Sequence, residues 1–205
     1  MTIGPFASKD EFIRIFIEGM TNSHHEMATF AIIDKTRSPS PEDAEGALAG
    51  MTSYMCTSTT HLSTEMGYLI VLPPFQRTHV TTNAVGLMLQ NAFAPVERGG
   101  MDLKRVVWNA SSANPPSICA AERLGFRREA VLRWNRLNRG GKKRFKVGNG
   151  REPPDGTAPD DVWRDTVVLS LCWDDWATGA KDRVESEMGR LLSSAWMPSP
   201  QKPDS

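Results

Sequence analysis

An apolar segment that runs straight into two prolines constrains this chain more than any other feature. Met66–Leu72 (MGYLIVL) has the length of a strand and is apolar nearly throughout, which predicts burial on both faces. Pro73 and Pro74 end it, because neither can donate to a ladder. A helix of about five turns is predicted next, from near Val80 to Glu97, with Ala84, Leu87, Met88 and Asn91 on one face. The start of such a helix offers several N–H groups and the positive end of a macrodipole, a setting that suits phosphate. Arg77 adds a fixed positive charge there, and Thr78, Thr81 and Thr82 add hydroxyl donors. Nearly every helix begins with exposed donors, so this pattern alone marks only a candidate pyrophosphate site.

The other elements follow from periodicity and punctuation. Ser8 and Glu11 have the form of a capping box ahead of Phe12, Ile15, Phe16 and Met20 at helical spacing. Thr29–Asp34 and Gly46–Tyr54 read as a hairpin across the polar stretch Thr36–Glu45. Arg105–Trp108 is a compact strand. Asn114 reads as an N-cap, with Pro115 at the first helical position and Gly125 just past the end. Phe126–Trp134 and Trp163–Trp173 are the last two strands, joined through Asn138–Val162, which reads as a long, mobile hairpin loop. After Asp175 comes an amphipathic helix carrying Ala180, Val184, Met188 and Leu191, then a polar tail at Pro198–Ser205. An antiparallel meander joined to a strand–helix–strand crossover is an α+β pattern. The organisation is one domain over 1–176, followed by a C-terminal helix and tail over 177–205.

Composition removes several classes. The 205 residues carry 24 basic and 24 acidic side chains, so a nucleic-acid module with its basic excess is not expected. No apolar run approaches bilayer length and no leader-like segment opens the chain, so the expectation is a cytoplasmic protein without a membrane partner. Cys56, Cys119 and Cys172 are odd in number and widely spaced, forming neither a disulfide framework nor a metal knuckle. His24 and His25 lie in a polar stretch, His61 has no partner at ligand spacing, and no metal is expected. Cys119 reads as a small core residue.

Three ordered motifs then point to a family. EMGYLIVLPPFQRTHVTTNA, NASSANPPSICAAERLGFRREAVLRW and WRDTVVLSLCWDDW resemble the GCN5-related N-acetyltransferase (GNAT) family. Within it they are most similar to the branch of ribosomal-protein N-terminal acetyltransferases and their fungal relatives. The family's acetyl-CoA signature, Gln/Arg-x-x-Gly-x-Gly/Ala, begins at Gln76, with His79 and Thr81 at its two small-residue positions. Asn-x-x-Ser-x-x-x-Ala-x-x-x-Gly-Phe is matched by Asn114, Ser117, Ala121, Gly125 and Phe126, and the last motif by Arg164-Asp165 and Asp174-Asp175-Trp176. The resemblance implies a GNAT fold, a mixed and mostly antiparallel sheet flanked by helices, lacking the first strand and helix that normally precede the segment matched by Gly4-Pro5-Phe6. A bare sheet edge would leave room for a homodimer contact.

The same resemblance implies acetyl transfer from acetyl-CoA, as co-substrate, to a primary amine of a small molecule or peptide. Acetyl-CoA would lie where Met66–Leu72 and Arg105–Asn109 diverge. Ile70, Val71 and Leu72 would hydrogen-bond pantetheine, and Gln76, Arg77, Thr78, His79, Val80, Thr81 and Thr82 would hold the pyrophosphate. Asn114 would reach the pantetheine arm with its side chain while its backbone caps the helix. Ser117 stands where some relatives place a serine proposed to protonate the departing thiolate, and the resemblance makes it the candidate for that role; no tyrosine follows Tyr68 to take it instead. Glu65 is the candidate to steer or deprotonate the amine. A plainer alternative exists for each: a strand-end carboxylate for Glu65, a first-turn polar residue for Ser117. A Cβ at His79 would crowd the ligand or resist the positive φ that glycine permits. That departure opens a second reading, a CoA-binding or interaction protein without catalysis.

Overall fold

The computed structural model describes residues 6–37 and 45–190. Within that range one six-stranded sheet has the order β1-β2-β3-β4-β6-β5. Its strands are β1 (Ala28–Asp34), β2 (Ala47–Ser58), β3 (Ser63–Val71), β4 (Arg105–Ser111), β5 (Arg127–Asn138) and β6 (Val162–Cys172). All pairings are antiparallel except β3 with β4. The mixed α+β sheet is the architecture expected, and among the described residues β1 pairs only with β2.

The first helix, α1 (Lys9–Phe12), has the predicted Ser8 cap, with Ser8 Oγ accepting the Glu11 N–H, but Glu11 Oε2 reaches one residue further back than in a strict capping box and accepts the Ala7 N–H at 2.6 Å. The chain then widens into a π-helix over Ile13–Thr21. The change in turn spacing rotates the anticipated stripe, so Phe16 is buried while Ile15 faces outward.

Helix α2 (His79–Phe93) is shorter than predicted because Pro95 forces Ala94 into extended backbone. Its core stripe also differs. Val85, Met88, Leu89 and Ala92 are buried, whereas Leu87 is 59% exposed and Asn91 lies outside. α2 is apolar on more than one side, and its packing partner chooses between them. At Gly86 a Cβ would collide with the Met188 sulfur, so the missing side chain admits α4 (Lys181–Arg190). Val184 of α4 joins the core that also holds Val106, Ile118, Leu124, Leu169 and Leu171. Leu191, Trp196 and the polar tail lie outside the described residues, as does most of the stretch anticipated as the β1–β2 loop.

The third helix, α3 (Pro115–Arg123), has its predicted punctuation, with Gly125 at φ +97° just beyond its end. It does not bury Cys119, contrary to expectation. Ile118 and Ala121 take the inward face of this short helix and leave the thiol exposed.

The segment between β5 and β6 is tied down rather than loose. Gly140 N–H donates to Asp161, Asn149 N–H to the Trp163 carbonyl, and Asn149 and Arg151 both reach the buried Asp165. Polar residues that read as a solvated loop instead satisfy one another and the strand ends.

One ion pair staples three strands. Arg105 on β4 donates both Nη groups to Glu129 on β5, and Ser170 on the intervening β6 donates to the same carboxylate. The Arg105 and Ser170 hydrogen bonds pull the Glu129 carboxyl down to about 2. A lowered carboxylate stabilises the fold above its unfolded value and loses that contribution on acidification. Stability should therefore fall as pH drops from about 4.5 to about 2. Glu129→Gln should remove that part of the acid slope and cost about 1 kcal/mol at pH 7, since both partners are roughly one-third exposed. Urea denaturation at stepped pH measures both; an unchanged acid slope in the variant would refute the assignment.

Candidate active site

The divergence of β3 from β4 follows from a bulge. The parallel ladder runs from Ser63↔Arg105 to Met66↔Trp108 and stops there. Immediately beyond, β3 carries an extra residue: Gly67 faces Ser53 and Ile70 faces Met51, so Tyr68 and Leu69 oppose Thr52 alone. Tyr68 sits at φ +47°, an uncommon conformation for a non-glycine residue, and its ring packs edge-on against Phe16 at 5.1 Å. A bulge bends its strand and leaves backbone groups out of the ladder. The outer half of β3 is therefore open on the β4 side. This corrects the expectation of burial on both faces: Ile70 is 52% exposed and Leu72 is also exposed.

Side chains converge on the last paired rung from both faces of the sheet. Residues opposed in a ladder share a face, so Met66 and Trp108 point together into the core, while Glu65 and Asn109 point the other way. Asn109 Nδ2 donates to Glu65 Oε2 at 2.8 Å. Burial raises the Glu65 pKa, against the Asn109 hydrogen bond and the charges of Arg136 and Arg164. On the core side, Trp108 Nε1–H donates to Ser117 Oγ at 3.0 Å. The serine oxygen is thereby an acceptor, with its own proton left to donate elsewhere.

The helix start shows which predicted ligands face outward. Thr78 is the N-cap of α2; its Oγ1 accepts the Val80 N–H and donates to the Phe75 carbonyl. The positive φ of this turn, +61°, falls on Arg77, which is exposed. His79 is instead the first helical residue. Its ring turns inward, with Nε2 at 3.2 Å from Oδ1 of Asp34, and both residues are buried. The Cβ of His79 thus meets no dihedral conflict, and its imidazole lies away from the outer surface of the turn. Val80 and Thr82 are buried as well; Thr82 Oγ1 accepts from Arg123. Gln76 folds back so that Nε2 donates to the Val71 carbonyl. Of the side chains expected at a pyrophosphate, those of His79, Val80 and Thr82 point inward and Gln76 braces the strand end. Backbone N–H groups, Arg77 and half-buried Thr81 are left to face a ligand. The Asn114 side chain also differs from expectation, since Oδ1 itself caps α3 by accepting the Ser117 N–H, so only Nδ2 remains for a ligand.

Sequence reasoning missed Asn109, the Tyr68 bulge, and the arginines beside Glu65. Arg164 lay within a recognised motif but carried no assigned role. The Asp165 and Asp175 of the same motif are structural: Asp165 accepts the Trp134 N–H, and Asp175 accepts the Cys172 N–H and pairs with Arg127 at 2.6 Å. A separate apolar cleft of about 640 Å³ lies between β1 and α2, lined by Phe30, Ile32, Tyr54, Leu87 and Met88. It explains the outward face of Leu87 and is distinct from the Glu65 rung.

A mixed sheet that opens beside its one parallel pair of strands among the described residues, with helices on its core face, is the fold of solved acetyltransferases. A GCN5-related N-acetyltransferase from Brucella melitensis superposes with a TM-score of 0.66 at 25% identity, covering 94% of this chain and 71% of its own. A spermidine N-acetyltransferase variant from Vibrio cholerae shares the fold at a TM-score of 0.57 and 17% identity, over 84% of this chain and 79% of that one. A dodecameric spermidine N-acetyltransferase from the same organism gives 0.55 and 17%, over 84% and 79%. A search of curated proteins found no match to the sequence. Residues 1–127 match the family model described as an acetyltransferase (GNAT) domain, and the chain belongs to that family. No helix among the described residues is long and apolar enough to cross a membrane.

Proposed function

We propose that the chain transfers acetyl from acetyl-CoA to a primary amine. The observation that carries this reading is the open end of the β3–β4 ladder, where the half-buried Glu65 carboxylate lies on one face and Trp108 holds the Ser117 hydroxyl on the other. Acetyl-CoA is the co-substrate, and the residues fit it: the edge of β3 that β4 leaves unpaired beyond Met66 can take pantetheine as an added strand, with the Val71 carbonyl already held by Gln76 and the Leu72 N–H by Ala49, and the α2 start with Arg77 can take the pyrophosphate. Glu65 accepts a proton from the incoming ammonium. The neutral amine attacks the thioester carbon, and collapse of the tetrahedral intermediate breaks the C–S bond. Ser117 passes its proton to the departing sulfur, the nitrogen sheds its remaining extra proton to restore the serine hydroxyl, and Glu65 releases its proton to solvent. The products are an N-acetylated amine and CoA. We also keep the nearer affinity to the ribosomal-protein N-terminal acetyltransferase branch, on the spacing of Asn114, Ser117, Ala121, Gly125 and Phe126. The cytoplasm is the compartment that best fits three free cysteines.

Calorimetric titration with acetyl-CoA, and CoA as control, tests the reading. Saturable binding that Arg77→Ala weakens about tenfold, followed by turnover on a broad amine panel, is the expected result. Binding without turnover on any amine would favour the non-catalytic alternative. Absence of binding at millimolar ligand would end both. A homodimer across the outer edge of β1, where Phe30 is exposed over the apolar cleft, is the assembly we favour. Light scattering that returns a monomer at every concentration would remove it.

A further inference from the structure

The face of the sheet that carries Glu65 also carries two arginines, and their arrangement is costly on its own. Asn109 faces Val168 in the β4–β6 ladder, and alternation along β6 brings Arg164 to the same face. Arg164 is directly opposite Arg136 in the β6–β5 pair. Like charges at opposed positions of a ladder destabilise a sheet. Neither guanidinium has a salt-bridge partner among the described residues. Arg164 is half-buried; it spends one Nη2–H on the Asn109 carbonyl at 3.4 Å, while its Nε is buried with no hydrogen-bond partner. Asn109 Oδ1, beside Glu65, is likewise buried and unpartnered. The carboxylate that both arginines act on is Glu65, which lies on the sheet beside half-buried Arg164 and exposed Arg136, so at the strands themselves two fixed positive charges face one negative. Glu26 contributes at its margin, through Cys56.

We infer that Arg136 and Arg164 form a subsite for a carboxylate on the acceptor, so that the amine presented to Glu65 belongs to an amino acid or a similarly anionic amine. This rests on the acetyl-transfer reading and adds the acceptor's chemical class to it. A carboxylate between the two guanidiniums supplies the charge that their juxtaposition lacks, and a planar guanidinium matches it with paired N–H donors. Glu65 then faces the cationic end of the same molecule. One negative and one positive group on the acceptor thus meet two positive and one negative group on the protein. A polyamine, cationic along its length, would meet the arginine pair unfavourably.

The test compares ω-amino acids of two to five carbons with their own carboxamides, which keep the amine and remove the charge. The acid of the best pair should exceed its amide by about tenfold or more in kcat/KM. Arg136→Gln should erase that preference while leaving the acetyl-CoA Kd unchanged, because Arg136 lies outside the residues assigned to acetyl-CoA. A binding arm needs no turnover: N-acetylglycine should bind more tightly than N-acetylglycinamide by tryptophan fluorescence, and the difference should vanish in Arg136→Gln. Equal handling of acids and amides, a preference for polyamines, or no binding of either acetylated probe would overturn the subsite. Selective binding of N-acetylglycine by a protein that transfers to no amine would sustain the subsite and refute the transfer reading, so the two failures separate.

Discussion

Glu65→Gln is expected to lower kcat/KM for acetyl transfer by about 10²–10⁴-fold while acetyl-CoA affinity changes little. Glutamine keeps the shape and an oxygen that can accept from Asn109 Nδ2, so the 2.8 Å contact survives and only the proton acceptor is lost. The pH profile provides a second signature. Burial raises the Glu65 pKa above 4.5, and the group must be ionised to take a proton, so activity should rise with pH through that raised value. That limb should be missing in the variant. Stability should not confound the result. A carboxylate raised in the folded state favours folding below its unfolded pKa and opposes it as pH rises through the folded value. At pH 7 its replacement by neutral glutamine therefore leaves Tm equal or higher. A variant retaining activity within about threefold of the native protein, with the same pH limb, would remove Glu65 from the chemistry.

The second large effect is on stability, at a residue remote from the reacting atoms. Asp34→Ala is expected to cost about 3–5 kcal/mol, a large share of a total that is typically about 5–15 kcal/mol. Asp34 ends β1 and is almost wholly buried; it accepts from the Thr36 N–H and hydroxyl, and faces His79 at 3.2 Å and Arg37 at 3.5 Å. Truncation leaves these donors without their acceptor and unpins the start of α2 from β1. The urea midpoint should fall with an unchanged m-value, and acetyl-CoA affinity should fall with it. His79→Gly separates pinning from crowding. Because Arg77, not His79, holds the positive φ, glycine at 79 should lose stability and gain no affinity for acetyl-CoA. Tighter binding by that variant would show that the imidazole does obstruct the turn.

The reading of His79 shows where sequence reasoning stops. By motif alignment it stands at a glycine position, which suggests a clash with the ligand. The backbone avoids the conflict by shifting the left-handed residue two positions earlier, and the ring finds Asp34, 45 residues away in the chain. Gln76 and Thr82 are similar. Their residue types suit a phosphate site, but one braces the Val71 carbonyl and the other accepts from Arg123. α2 failed in a different way, because a helix apolar on several sides presents more than one credible stripe. Gly86 and Met188, which select the stripe, are too far apart in the chain to be read together.

The chain by itself determined what local chemistry can determine. It set the Ser8 cap of α1, the strand stopped by Pro73, the N-cap, proline and glycine that bound α3, and the three motifs that mark the family. Each of these is carried by one contiguous stretch of sequence, so a one-dimensional reading reaches it. Only the tertiary structure decided the Tyr68 bulge that opens β3 from β4, the Asn109 contact to Glu65, the Trp108 contact to Ser117, and the opposition of Arg136 and Arg164. Each depends on strand register, and register is set by the packing of the whole sheet against its helices. A one-residue slip would turn each of those side chains to the other face.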